Sequence, residues 1–129
     1  RNDQPFATGI PLGRYGTPDE VRALQMAVES VHVDPAVEGY MVDIVAGTRN
    51  HSQVEVGASP RGSIALLKLG RSRAALAGRD FVTPDDVREV ALPTLGHRVV
   101  LTDEAWARGT PAPVVVRSVV DSIPAPTWK

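Results

Sequence analysis

Cysteine is absent from the 129 residues, which excludes disulfides, thiolate nucleophiles and cysteine metal sites and is compatible with an expected cytoplasmic location. Aromatic residues make up only 5%, so a core has to be assembled from Val, Leu, Ile and Ala. Neither sign of charge dominates: 14 Lys+Arg stand against 15 Asp+Glu, a net charge of -1. A dedicated nucleic-acid binder shows a clear basic excess, and a protein held to an anionic membrane surface does too, so neither partner is expected. No apolar run approaches the ~20 residues needed to span a bilayer. The opening Arg1-Asn2-Asp3-Gln4 is not followed by the apolar stretch of a secretory signal. It also lacks an initiator methionine, and the chain is expected to be a piece of a longer protein.

What is present suits one small helical domain. The hydrophobic fraction of 43% is enough for a modest core. Residues 1–16 carry Pro5, Gly9, Pro11, Gly13 and Gly16 without helical periodicity and read as a linker or lead-in. Residues 17–129 read as the folded unit. Thr17-Pro18-Asp19-Glu20 is a helix start with an N-cap, a proline at the first position and an acid three residues on. Val21, Leu24 and Val28 follow as its apolar face.

Val31-His32-Val33 is long enough only for an extended connection. Asp34-Pro35 opens a second helix, with Val37, Tyr40, Met41, Ile44, Val45 and Thr48 along one side, ending near Asn50. Residues 52–58 form a polar loop. A third helix runs from Pro60 to about Ala77, where Gly78 supplies a C-terminal cap. Thr83-Pro84-Asp85-Asp86 repeats the start signal, and Leu92-Pro93 is expected to break that helix, leaving a short turn over residues 94–98.

In the tail, the β-branched run Val114-Val115-Val116 with Val119 and Val120 would by propensity alone form a strand. The spacing of Val116, Val119, Val120 and Ile123 instead favours a helix over 111–122, and strand remains the alternative. The fold class is therefore all-α, a bundle of about four to six helices with short connections.

Catalytic machinery is scarce. His32, His51 and His97 do not have metal-ligand spacing, and each reads as a surface or packing residue. No serine stands in a Gly-x-Ser-x-Gly turn. Asp85 and Asp86 are explained by helix-start electrostatics. The phosphate-cradling loop of a P-loop nucleotide site is missing, and Gly9-Ile10-Pro11-Leu12-Gly13-Arg14 only faintly echoes it. Lys68, Arg71, Arg73 and Arg79 read as a solvated basic face near a helix C-terminus, and Arg98 as exposed or packing.

One arginine resists that treatment. Gly57-Ala58-Ser59-Pro60-Arg61 places Ser59 as an N-cap, Pro60 in the first helical position and Arg61 directly after it. A cation there opposes the helix dipole. It is explained if free N–H groups and the guanidinium meet at a phosphate.

Several pieces of the chain together resemble the C-terminal lid subdomain of MoxR-type AAA+ ATPases. They are Val31-His32-Val33, Tyr40-Met41-Val42-Asp43-Ile44-Val45, Thr48-Arg49, Gly57-Ala58-Ser59-Pro60-Arg61, the run from Gly78 to Val87 and His97-Arg98. They follow the family's order with similar intervals between Val31 and Leu101. The helix over 17–29 and the tail helix before Ile123-Pro124-Ala125-Pro126 are similar too, whereas residues 1–16 do not match.

The resemblance implies an AAA+ lid fold in which Arg61 is the sensor 2 arginine, reaching the γ-phosphate of ATP, with Ser59 and Pro60 beside it at the cofactor. It implies ATP and Mg2+ in the full-length protein, bound by a large subdomain that this chain lacks. No tight nucleotide binding by these residues alone is expected. It further implies ring assembly with neighbouring ATPase subunits, chaperone-like remodelling or maturation of other proteins, and von Willebrand factor A-domain partners. Two other readings compete with it. A stand-alone helical interaction or DNA-binding module is disfavoured by the charge balance, and a free-standing enzyme by the missing nucleophile and ligands.

Overall fold

The computed structural model describes residues 16–127 and is built from six helices and one two-stranded sheet. The lead-in expected over 1–16 lies, apart from Gly16, outside the described residues. In chain order the elements are α1 (Pro18–Glu29), α2 (Pro35–Arg49), β1 (Val54–Val56), α3 (Arg61–Leu76), α4 (Pro84–Leu95), β2 (Val100–Leu101), α5 (Asp103–Ala107) and α6 (Ala112–Ser122). No helix among the described residues is long and apolar enough to cross a membrane.

Local chemistry sets most of the boundaries. Thr17, Asp34 and Thr83 cap α1, α2 and α4, each followed by a proline that has no N–H to leave unpaired. At α4 the capping box is complete: Thr83 Oγ1 accepts the Asp86 N–H, and the Asp86 carboxylate accepts the Thr83 N–H. At the other end of α3, Gly78 adopts φ +75°. Arg79 N–H reaches the Ala74 carbonyl at 2.9 Å and Gly78 N–H the Ala75 carbonyl at 3.0 Å, the paired bonds of a Schellman ending.

The core is aliphatic. Ile44, Val45, Met41 and Val37 of α2 meet Leu66 and Ala74 of α3, Val87, Ala91 and Leu95 of α4, and Val115, Val116 and Val120 of α6. The tail is a helix: the valines fall on one side at 3.6-residue spacing, and burying that stripe outweighs their local strand preference.

Two expectations are corrected, and two features are added to the sequence reading. Pro93 does not end α4, which continues to Leu95. Pro93 is exposed and two residues from the helix end, so its two costs, the missing N–H bond and the crowding of its ring against the carbonyl four residues back, fall on the last turn. The segment 52–58 is not merely a loop, because β1 pairs antiparallel with β2, Val54 opposite Leu101 and Val56 opposite Val100. A short helix, α5, capped by Thr102 Oγ1, follows that strand. The apolar face of α1 is only partly covered: Val21 and Leu24 are 50% and 66% exposed, and Val28 is half-buried. The extended connection at Val31-His32-Val33 is real and is held by a parallel bridge between His32 and Phe81, with Val31 and Val33 buried.

Candidate functional site

The loop 57–60 and the first turn of α3 are built by contacts with the end of α2. Ala58 is fully buried and has both backbone groups occupied. Its N–H donates to Thr48 Oγ1 at 2.9 Å, and its carbonyl accepts from Arg49 Nε at 3.1 Å. Thr48, itself fully buried, donates its hydroxyl hydrogen bond to the Val45 carbonyl at 2.6 Å. Two consecutive residues of α2 thus grip one residue of the loop.

Gly57 is where the loop crosses α2, and a Cβ there would stand 2.6 Å from Arg49 Cα and 2.7 Å from its nitrogen. Gly62, in the first turn of the helix, faces Leu95, whose Cδ2 would be 3.1 Å from an added Cβ. Gly57→Ala should therefore lift the loop off α2 and destabilise the domain by about 1–3 kcal/mol, the usual cost of overpacking. Chemical denaturation of the isolated variant checks this, and an unchanged midpoint would contradict the close approach.

Ser59 Oγ accepts the Arg61 N–H at 3.3 Å, the Gly62 N–H bonds the Ser59 carbonyl at 2.8 Å, and the Ser63 N–H bonds the Pro60 carbonyl at 3.1 Å. Pro60 already has helical dihedrals, φ −54° and ψ −22°, so it stands at the cap position and α3 begins at Arg61. This corrects the expectation of open N–H groups waiting for a phosphate. The first three helical N–H groups are occupied within the chain, and what remains outward is the Arg61 side chain.

Arg61 is exposed, and among the described residues no hydrogen bond or ion pair holds its guanidinium. Its neighbours in the motif all serve the fold. Gly57 permits the crossing, Ala58 is gripped, Ser59 Oγ takes up the Arg61 N–H, Pro60 presets the turn and Gly62 packs. The Arg61 side chain does none of these things.

The other arginines behave differently from the solvated face expected of them. Arg79 forms a two-pronged pair with Asp86, both N–O distances 2.6 Å, and Arg73 Nε lies 3.4 Å from the same carboxylate. Asp86 is buried, 1% exposed, at the joint between α3 and α4. Burial pushes its carboxyl up, but the Arg79 hydrogen bonds and the Thr83 N–H and hydroxyl outweigh that and hold it below the usual carboxylate range. Asp86 is thus a structural anion and not only a helix-start charge. Arg71 Nε donates to the Val31 carbonyl at 3.0 Å, and Arg98 Nε to the Thr94 carbonyl at 3.1 Å.

Sequence reasoning misses the Arg79–Asp86 pair because its members belong to different elements. The signal available was Gly78-Arg79, an arginine placed just after a helix-ending glycine and seven residues before an acid at a capping-box position. Helix α3 is in consequence braced along its length: by Thr48 and Arg49 at its start, by Arg71 in its middle and by Asp86 near its end. At 1.5 Å per residue it is a lever of about 24 Å, with Arg61 at one tip.

The three histidines are not brought together. His51 lies between the Gln53 N–H, accepted at Nδ1 at 3.1 Å, and Ser118 Oγ, 3.4 Å from Nε2. His32 stands in the bridge to Phe81, and His97 is exposed beyond α4. Among the described residues no group of three or more His, Asp or Glu is arranged to hold a metal ion.

Comparison with known proteins agrees with this architecture. The model of the AAA lid domain family matches residues 46–119, more than half of the chain. The chain is 43% identical over 106 residues to the uncharacterized protein YeaC of Bacillus subtilis, covering 82% of this chain and 33% of that protein. It is 35% identical over 119 residues to the chaperone MoxR1 of Mycobacterium tuberculosis, covering 85% and 31% respectively. The protein MoxR of Methylorubrum extorquens is 33% identical over 118 residues, covering 81% of this chain and 34% of its own.

A solved structure from Cytophaga hutchinsonii, provisionally described as an ATPase, superposes with a TM-score of 0.80 at 26% identity over 84% of this chain and 36% of that one. This chain is a member of the AAA lid domain family. It spans about a third of the length of the curated relatives it matches.

Proposed function

We propose that this chain serves as the lid of a MoxR-like AAA+ ATPase and that Arg61 is its sensor 2 residue, the group that meets the γ-phosphate of ATP held by a large subdomain. The observation that carries the reading is the contrast within Gly57–Gly62: each neighbour is consumed by the fold, and an exposed cation without a described partner stands where the helix dipole disfavours it. A guanidinium is suited to phosphate because its planar donors can bond two oxygens at once. Ser59 and Pro60 belong to the cofactor side as the residues that build the turn beneath Arg61.

Among the described residues Arg61 is the group that fits a phosphate contact. The sequence has no P-loop lysine, and no described group of three or more His, Asp or Glu is arranged to hold a metal ion. ATP with Mg2+ supplies the phosphoryl transfer when bound to the remainder of the full-length protein. Arg61 would neutralise charge on the phosphate oxygens, a bond that it could make only while the terminal phosphate is present. Because α3 is braced to α2 and α4, gain or loss of that bond moves the lid as one body, which is how a phosphate contact becomes motion between subunits.

On this reading the full-length protein works in the cytoplasm as a ring of neighbouring subunits and remodels or matures other proteins in a chaperone-like way, with von Willebrand factor A-domain proteins among its partners. The test is ATP turnover by the full-length protein and by residues 1–129 alone. Mg2+-dependent hydrolysis by the first and none above background by the second is expected. Turnover by the isolated chain would show that it holds a complete site, and an inert full-length protein would remove the ATPase reading.

A further inference from the structure

We propose that Thr48 and Arg49 are positioning residues for Arg61, acting through the backbone of Ala58. This rests on the reading of Arg61 as the phosphate-contacting group. Ala58 lies three residues before Arg61 and is the last residue of the loop with both backbone groups bound by side chains: N–H to Thr48 Oγ1 at 2.9 Å, carbonyl from Arg49 Nε at 3.1 Å. Beyond it the path to Arg61 has little freedom. Ser59 is tied to Arg61 through its Oγ, and Pro60 has its φ fixed by its ring. The place of the Arg61 Cα is therefore set by where α2 holds Ala58.

The two side chains divide the work. Thr48 is fully buried and has two partners, so its hydroxyl sets the depth at which the loop sits. Arg49 is exposed and commits only its Nε, so it can be truncated without opening a cavity. The close crossing at Gly57, with no room for a Cβ above Arg49, keeps the loop from sliding to another register. A displacement of about 1 Å at the reacting geometry can cost on the order of 10²-fold in rate, so a clamp of this kind is read in turnover and not only in stability.

The experiment is a double-mutant cycle on ATP hydrolysis by the full-length protein, with Thr48→Val, Thr48→Ser and Arg49→Ala each made alone and with Arg61→Ala. Thr48→Val keeps the shape and removes the hydroxyl. It should lower kcat by about tenfold with a smaller change in KM for ATP. Thr48→Ser, which restores the hydroxyl, should retain turnover close to that of the parent. Arg49→Ala should act in the same direction as Thr48→Val. In the Arg61→Ala background neither Thr48→Val nor Arg49→Ala should lower turnover further, because the group they position is gone.

If Thr48→Val fails to fold, Arg49→Ala carries the cycle. Losses that multiply with that of Arg61→Ala, or unchanged kcat in folded Thr48→Val and Arg49→Ala, overturn the clamp while leaving Arg61 in its role. Unchanged turnover in Arg61→Ala alone overturns both.

Discussion

Arg61→Ala is expected to lower ATP turnover of the full-length protein by about 10²-fold or more, the usual consequence of deleting a group that stabilises transition-state charge. The same substitution should leave the lid as stable as before, or raise its stability by about 0.3–1 kcal/mol, because a cation is removed from the positive end of α3. This pairing is diagnostic. A residue kept for packing loses stability when truncated, and a residue kept for chemistry loses rate. Arg61→Lys should recover little, since an ammonium keeps the charge but not the planar pair of donors. Turnover is read by phosphate release and stability by thermal unfolding. A large stability loss with near-normal turnover would place Arg61 in the structure and not in the reaction.

The second large effect lies near the other end of α3. Arg79→Ala should destabilise the domain by about 3–5 kcal/mol, because it leaves the Asp86 carboxylate buried with only the 3.4 Å contact to Arg73 beside its capping bonds. In a domain of this size that corresponds to a fall in melting temperature of roughly 10–20 °C. Removing both partners should cost less than the sum of the single losses, since the uncompensated charge disappears with its partner.

The pH dependence follows from the direction of the Asp86 shift. Its folded pKa lies below its unfolded value, so its stabilisation is present above about pH 4. It is lost as the pH falls through the lower folded value. Without Arg79, burial is less opposed and the folded pKa rises, so the gap between parent and Arg79→Ala should narrow as the solution is acidified below about pH 4. A gap that stays constant from neutral pH into that range would show that Asp86 does not carry the difference.

Much of the fold is legible in the sequence because its signals are local. Thr17-Pro18, Asp34-Pro35 and Thr83-Pro84 announce helix starts through residues that act within one turn, and Gly78 announces a stop in the same way. The tail helix can be read from spacing, although its valines argue locally for a strand.

What escapes the sequence is non-local. The three residues of β1 and the two of β2 are too short to declare themselves, and they become strands only because the chain brings Val54 opposite Leu101. Pro93 looks like a stop because its missing N–H is visible in sequence, while the two further helical residues that follow it are not. The partial exposure of α1 is hidden for the complementary reason: an apolar stripe shows that a face could be buried, not that the described residues bury it.

The candidate site divides along the same line. Arg61 stands out because a cation in a first helical turn is anomalous without knowledge of any contact. Thr48 and Arg49 can be noted as part of a family pattern, yet their grip on Ala58 depends on the loop crossing α2 at Gly57, which only the three-dimensional arrangement reveals. Arg73 and Arg79 look like solvated charges because their partner, Asp86, has a sufficient local explanation as a helix-start acid.

If Arg61 meets the terminal phosphate of a nucleotide held elsewhere in the same assembly, the contact itself can be seen. The most direct measurement is a structure of the full-length protein with Mg2+ and a non-hydrolysable ATP analogue. The Arg61 guanidinium should then lie within about 2.7–2.9 Å of a γ-phosphate oxygen, the range of a charge-assisted hydrogen bond, with Thr48 and Arg49 still gripping Ala58. A nucleotide fully enclosed by other residues, with Arg61 left in solvent, would contradict it.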